Sequence, residues 1–206
     1  MPEVMAFGDD GALEAAARVL DGGGVVAVPT DTVYGLAARV DRPVGAAAIF
    51  TVKGRPPDVA LPVLIGRWRQ LHEVAASWPK QASVLASRFW PGALTVVVRA
   101  RPEVGAVLGG DGTTVGIRRP AHKGVRKLCQ LAGPLAVTSA NRHGEPPCTT
   151  AEQVVAALSG DRSVALVLDD GPCDDEPSTV VDCTVSPPTC LREGAIPWSW
   201  IEASLR

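Results

Sequence analysis

The chain has 206 residues, 46% of them apolar, and 20 basic against 22 acidic side chains give it a formal net charge of −2. That length fits one large domain or two small ones with a sizeable core, and the near-balance of charge argues against a nonspecific nucleic-acid binder, which is usually strongly basic. No apolar run approaches a membrane span, and the opening MPEVMAFGDDG has neither the basic start nor the apolar stretch of a signal peptide, so a cytoplasmic address is expected.

Read in order, helical and extended patterns alternate. DDGALEAAARVLDGGG sets Leu13, Ala16, Ala17 and Leu20 at helical spacing, with an aspartate cap before and glycines after. VVAVP reads as a buried strand that runs into Thr30-Asp31-Thr32-Val33-Tyr34-Gly35, a polar stretch expected at a strand-to-helix junction. PVGAAAIFTVKG predicts a helix with Pro43 near its start and Gly54 near its end. LPVLIG is a short buried strand, WPKQASVLASRFWPG a helix between prolines, and ALTVVVRA a strand. TTVGIRRP, HKGVRKLCQLAG and PLAVTSAN continue as strand, helix and strand. TTAEQVVAALSG is a helix capped by Thr149 or Thr150. VALVLDDG, STVVDCTV and TCLREGAI are strands ahead of a short amphipathic tail, PWSWIEASLR. This order, without repeats or long linkers, predicts an α/β fold: a single domain over residues 1–206, built on a twisted mixed sheet with flanking helices.

Polar clusters fall just past strand ends, where open α/β sheets place ligands. The hydroxyls of Thr30 and Thr32 would cap a helix or bind a small polar ligand. Lys53-Gly54-Arg55-Pro56-Pro57 puts two cations two residues apart on a proline-stiffened segment. That suits a polyphosphate, or equally a solvated helix end. Thr138, Ser139 and Asn141 in VTSANRHGEPP would donate to phosphate or a carbonyl, or simply shape a turn. Asp169, Asp170, Asp174, Asp175 and Glu176 could hold magnesium but read better as a solvated acidic loop, with Ser178 and Thr179 beyond them as ligand-facing groups. The five cysteines are odd in number and show no Cys-x-x-Cys pair, and the three histidines are scattered, so neither a disulfide framework nor a protein-held metal is expected. No Walker loop, dinucleotide fingerprint or nucleophile elbow occurs, so if the chain is an enzyme it is expected to orient charged reactants without a covalent side-chain intermediate.

Taken together and in order, GGVVAVPTDTVYGLAARV, IFTVKGRP, RFWPGALTVVV, TTVGIRRPAH, VTSANRHGEPP and STVVDCTV…LREGAI resemble the YrdC-like family of threonylcarbamoyl-AMP synthases in its short form, from about Leu20 to Ile196. The resemblance implies a concave, positively lined cleft and the conversion of L-threonine, bicarbonate and ATP to threonylcarbamoyl-adenylate and pyrophosphate. A partner complex would transfer the product to the adenosine beside the anticodon of tRNA, and direct tRNA contact would be possible. Magnesium would arrive with ATP. By this resemblance Lys53, Arg55, Ser139 and Asn141 form the catalytic set, with Lys53 and Arg55 gripping phosphate. Thr32, Arg118, Ser139 and Ser178 would bind L-threonine. Thr114, Thr149 and Arg192 would join Lys53, Arg55 and Asn141 on the nucleotide. The run PPDVALPVLI departs from the family pattern at Val59, Ala60 and Leu64. Two other readings remain open at this point: a YrdC-like module that binds RNA or a nucleotide without chemistry, and a paralogous carbamoyl-adenylate enzyme.

Overall fold

The computed structural model describes residues 1–158, 161, 163–173 and 176–206. Strands run at Glu3–Ala6 (β1), Val25–Val28 (β2), Gly35–Arg39 (β3), Val63–Leu64 (β4), Leu94–Arg99 (β5), Thr114–Arg118 (β6), Leu135–Ser139 (β7), Val164–Asp169 (β8), Thr179–Asp182 (β9) and Thr189–Arg192 (β10). Helices occupy Ala12–Asp21 (α1), Pro43–Lys53 (α2), Leu71–Val74 (α3), Lys80–Phe89 (α4), Pro102–Leu108 (α5), Lys123–Ala132 (α6), Ala151–Ala157 (α7) and Trp198–Ser204 (α8).

All the strands join one mixed sheet in the order β1-β8-β2-β3-β7-β4-β6-β5-β9-β10. Strand β2 lies between β8, which is parallel to it, and β3, which is antiparallel. It is buried on both faces, which is why its sequence is an unbroken apolar run and not an alternation. Val25 and Ala27 point into one core and Val26 and Val28 into the other. The first core takes side chains from α2, α3, α4, α5, α7 and α8, and the second from α1 and α6. Helices thus cover both faces of the sheet.

The helix ends follow local chemistry. Pro43 opens α2, where its missing N–H is not needed, and Gly54 closes it at φ 60°, a left-handed conformation that favours glycine. The Nδ1 of His122 accepts from the Val125 amide to cap α6, and the Thr150 hydroxyl accepts from the Gln153 amide to cap α7. The aspartate cap expected on α1 is absent from its start: Gly11 holds the cap position with φ 80°, and the Asp9 carboxylate accepts from the amide of Ala6 instead.

The largest revision concerns the segment after Tyr34. Gly35–Arg39 is a strand and not the helix expected after the polar stretch, because it pairs antiparallel with both β2 and β7. Its small residues fit that crowded place. A Cβ on Gly35 would come within 2.6 Å of a Val137 methyl. The first strand, α3 and α5 carry too short a periodic signal to have been expected. Among the described residues, no helix is long and apolar enough to cross a membrane.

Candidate active site

Strand alternation assembles the site. Leu64 and Val137 belong to the core under α1 and α6, whereas Leu94, Val96, Val115 and Ile117 belong to the opposite core. Thr95, Arg118 and Ser139 therefore rise on the same face as Leu64 and Val137. There a cavity of about 350 Å³ opens, and its walls include Thr30, Thr32, Arg55, Thr95, Arg118, Ser139, Asn141, Glu145, Ser178 and Arg192. Three guanidinium groups face one carboxylate, Glu145, so the lining carries net positive charge.

The polar stretch after β2 forms a tight knot. Thr30 donates its hydroxyl proton to the carbonyl of Val33 at 2.7 Å and accepts from the amides of Thr32 and Val33. The two threonine hydroxyls lie 2.9 Å apart. The Thr32 oxygen accepts from Arg118 Nη1 at 2.9 Å. Arg118 also donates through Nε to the carbonyl of Gly92 at 3.0 Å, and its Nη2 meets Asp31 Oδ1 at 2.7 Å in a nearly buried ion pair. The backbone fastens this knot to its neighbours: Tyr34 receives from Ala140 and donates to Cys148.

Lys53 ends α2 and points directly at the Ser-x-Asn turn. Its Nζ lies 2.6 Å from the carbonyls of both Ser139 and Asn141, with Asn141 Oδ1 at 3.2 Å and Ser139 Oγ at 3.4 Å. An ammonium has three protons, and this one has four oxygens around it. At 4% exposure it has no face left for a phosphate, and it does not line the cavity. The structure therefore moves Lys53 from a surface grip to an internal brace. The Lys53 carbonyl adds a further tie by accepting from His143. Burial, reinforced by the nearby Arg55 charge, pulls its amine down to about 8. The Asn141 amide nitrogen is also committed, to the carbonyls of Arg142 and Glu145.

Arg55 takes the other part. It lines the cavity, and its Nε and Nη2 donate to the carbonyls of Val59 and Ala60. Both partners are main-chain oxygens, so these two contacts do not depend on which side chains stand at positions 59 and 60. Arg192 on β10 donates twice to the Ser178 carbonyl and once, at 3.3 Å, to its hydroxyl, which lies 2.9 Å from that of Thr95. Burial lowers the pKa of Arg55 and Arg192, and neighbouring arginines lower it further: Arg192 acts on Arg55 and Arg118 on Arg192. Guanidinium groups stay charged through such shifts, so the cavity holds like charges close together.

Of the residues expected at the site, Thr32, Arg55, Arg118, Ser139, Asn141, Ser178 and Arg192 share this cavity, and Lys53 braces its turn. Two do not line it. Thr114 begins β6 opposite Arg99, four residues before Arg118 and so about 13 Å away along the strand. Thr149 is tied to the side chain of Gln153 through both its amide and its hydroxyl. Thr95 and Glu145 line the cavity without having been expected there, and Thr30, read from the sequence as a cap or a ligand group, lines it too. Thr95 had one faint signal, a hydroxyl inside the otherwise apolar run ALTVVVRA. In the acidic segment Asp169 accepts from Tyr34 and Asp170 meets His122, while Asp174 and Asp175 lie outside the described residues.

A family profile described as Telomere recombination, covering the Sua5, YciO and YrdC proteins, matches residues 18–194. The chain belongs to the Sua5/YciO/YrdC family. Within that family it is 40% identical over 183 residues to a putative threonylcarbamoyl-AMP synthase of Mycobacterium tuberculosis, covering 88% of this chain and 83% of that one. It is 39% identical over 192 residues to the threonylcarbamoyl-AMP synthase of Pyrococcus abyssi, where the match covers 92% of this chain but 56% of the longer relative. The solved structure of P. abyssi Sua5 complexed with L-threonine superposes with a TM-score of 0.89 at 39% identity, over 93% of this chain and 56% of that one. The Escherichia coli YciO structure shares the fold, with a TM-score of 0.85 at 22% identity over 96% of this chain and 98% of that one. Sua5/YciO/YrdC relatives thus match this sheet both with and without additional chain beyond it.

Proposed function

We propose that this protein is a threonylcarbamoyl-AMP synthase, a nucleotidyltransferase that makes threonylcarbamoyl-adenylate, pyrophosphate and water from L-threonine, bicarbonate and ATP. The observation that carries this reading is the gathering of Arg55, Arg118 and Arg192 with the braced Ser139–Asn141 turn around one cavity. Names of relatives at about 40% identity, and a threonine-bound structural neighbour, support it.

The reaction brings two anions together. The threonine amine takes up the bicarbonate carbon to give a carbamate, and a carbamate oxygen then attacks the α-phosphorus of ATP as pyrophosphate leaves. Fixed cations in a partly dry site offset the repulsion between carbamate and triphosphate and stabilise charge as it moves onto the leaving group. In this reading Arg118 receives the threonine carboxylate, with Thr32 and Ser178 beside it. Arg55 and Arg192 face the phosphates. Ser139 Oγ and the backbone of its turn position the carbamate, and Lys53 holds that turn in place. Magnesium would enter as the counter-ion of ATP, held mostly by phosphate oxygens and water, as that ion prefers. The hydroxyls and the Glu145 carboxylate of the lining fit such an oxygen-rich, water-bridged arrangement. The adenylate would pass to a cytoplasmic complex that transfers the threonylcarbamoyl group to tRNA.

Pyrophosphate release from ATP tests this directly. Release should need both L-threonine and bicarbonate, and should fall to background when either is omitted. Release that continues unchanged without threonine would overturn the assignment.

A further inference from the structure

The three arginines of the cavity are in different charge states. Arg118 is paired with Asp31, their side chains 8% and 17% exposed. Apart from that ion pair, Arg118 Nη2 and Asp31 Oδ1 have no hydrogen-bond partner among the described residues. The arginine is thus neutralised in charge without being saturated as a donor. Arg55 and Arg192 donate only to carbonyl and hydroxyl oxygens, and the described residues give neither of them a carboxylate partner. Asp31 is not part of the cavity wall, so whatever it does to a ligand it does through Arg118.

This difference matches the two substrates of the reaction proposed above, on which the inference rests. A free amino acid is a zwitterion with no net charge, whereas ATP and pyrophosphate carry several negative charges. A bare guanidinium accepts a carboxylate or a phosphate, so three of them in one cavity would let a polyphosphate settle on any of them. An aspartate behind one of them still lets that guanidinium meet a carboxylate from the cavity side but adds a fixed repulsion against a polyanion. Selectivity arises from that repulsive element.

We infer that Asp31 is a positioning residue that sorts the substrates: by neutralising Arg118 it reserves that arginine for the amino acid and leaves Arg55 and Arg192 for the phosphates. Without it, the nucleotide's phosphates would also pair with Arg118 and compete there with threonine.

Calorimetry with inorganic pyrophosphate and L-threonine on the whole protein tests this without turnover. In the unaltered protein, saturating pyrophosphate should leave the threonine Kd within about twofold. In Asp31→Asn, which keeps an oxygen facing Arg118 but no charge, pyrophosphate should raise the apparent threonine Kd by about tenfold or more. Asp31→Glu should restore independence. Equal behaviour of the Asn variant and the unaltered protein would overturn the inference, as would an Asn variant that loses threonine binding even without pyrophosphate. If Asp31→Asn does not fold, Arg118→Gln decides the matter: its pyrophosphate affinity should be unchanged, and a clear loss would overturn the inference. The two readings fail separately. A protein that sorts the ligands but releases no pyrophosphate from ATP contradicts the synthase assignment alone. One that releases pyrophosphate but shows competition in the unaltered chain contradicts the sorting alone.

Discussion

Lys53 and Arg55 stand two residues apart and carry the same charge, the first ending α2 and the second just past its cap, yet they serve two different regions. The brace region around Lys53 is dry, and its ammonium is surrounded by oxygens of the Ser139–Asn141 turn. The wall region around Arg55 is open to the cavity, and its guanidinium keeps N–H groups free after meeting two carbonyls. A cation's role here follows from how many of its donors the protein has already used, and sequence spacing does not reveal that number.

The comparison can be broken by removing each member. The largest effect is expected for Lys53→Met. It leaves two carbonyls at the turn without their donor, which costs about 1–3 kcal/mol of stability. It should also displace Ser139 enough to cut kcat by about 10²-fold or more. Thermal unfolding and steady-state pyrophosphate release measure the two losses together. Arg55→Gln should behave differently. Loss of a charged contact made to the ligand should raise the KM for ATP by about 30-fold, while the melting temperature stays within a degree or two of the unaltered protein. If Arg55→Gln unfolds the protein and Lys53→Met does not, the two roles have been assigned the wrong way round.

A pH titration sharpens the same contrast. The Lys53 amine is lowered to about 8 by burial, so it loses its proton in the folded protein as pH rises through that value. A neutral amine has one donor fewer for the turn, and activity should decline through the same range. The sign for stability is opposite. The unfolded chain holds its lysine proton up to higher pH, so the penalty of this buried charge is present at neutral pH and is relieved as pH rises from about 8 toward the ordinary lysine value. Activity lost above pH 8 without a matching fall in melting temperature would fit a loosened turn. Activity and stability falling together would not. The smallest effect is expected for Ser139→Ala, which removes one neutral hydrogen bond worth about 1 kcal/mol, a rate change of about fivefold.

Much of the fold could be read from the sequence because it depends on local and periodic signals. The unbroken apolar run of β2, the Pro43 and Gly54 punctuation of α2 and the capped start of α7 each announced themselves. The segment Gly35–Arg39 was misread because small residues fit a helix and a crowded central strand equally well, and only pairing on both sides decides between them. The site was legible as a set of motifs but not as a set of roles. The Lys-x-Arg spacing could not say that one cation turns inward, and nothing near Asp31 in the chain announces that its partner is Arg118. Thr114 shares the strand of Arg118 and even its face, but the length of the strand carries it away from the cavity.

The central claim is that one cavity holds the amino acid at Arg118 and the nucleotide at Arg55 and Arg192. Calorimetry of L-threonine and of ATP, each titrated separately into Arg118→Gln and Arg55→Gln, tests it most directly. The account predicts that Arg118→Gln loses threonine binding and keeps ATP, and that Arg55→Gln does the reverse. If each variant weakens both ligands to the same degree, the cavity is not divided in this way and the account is wrong.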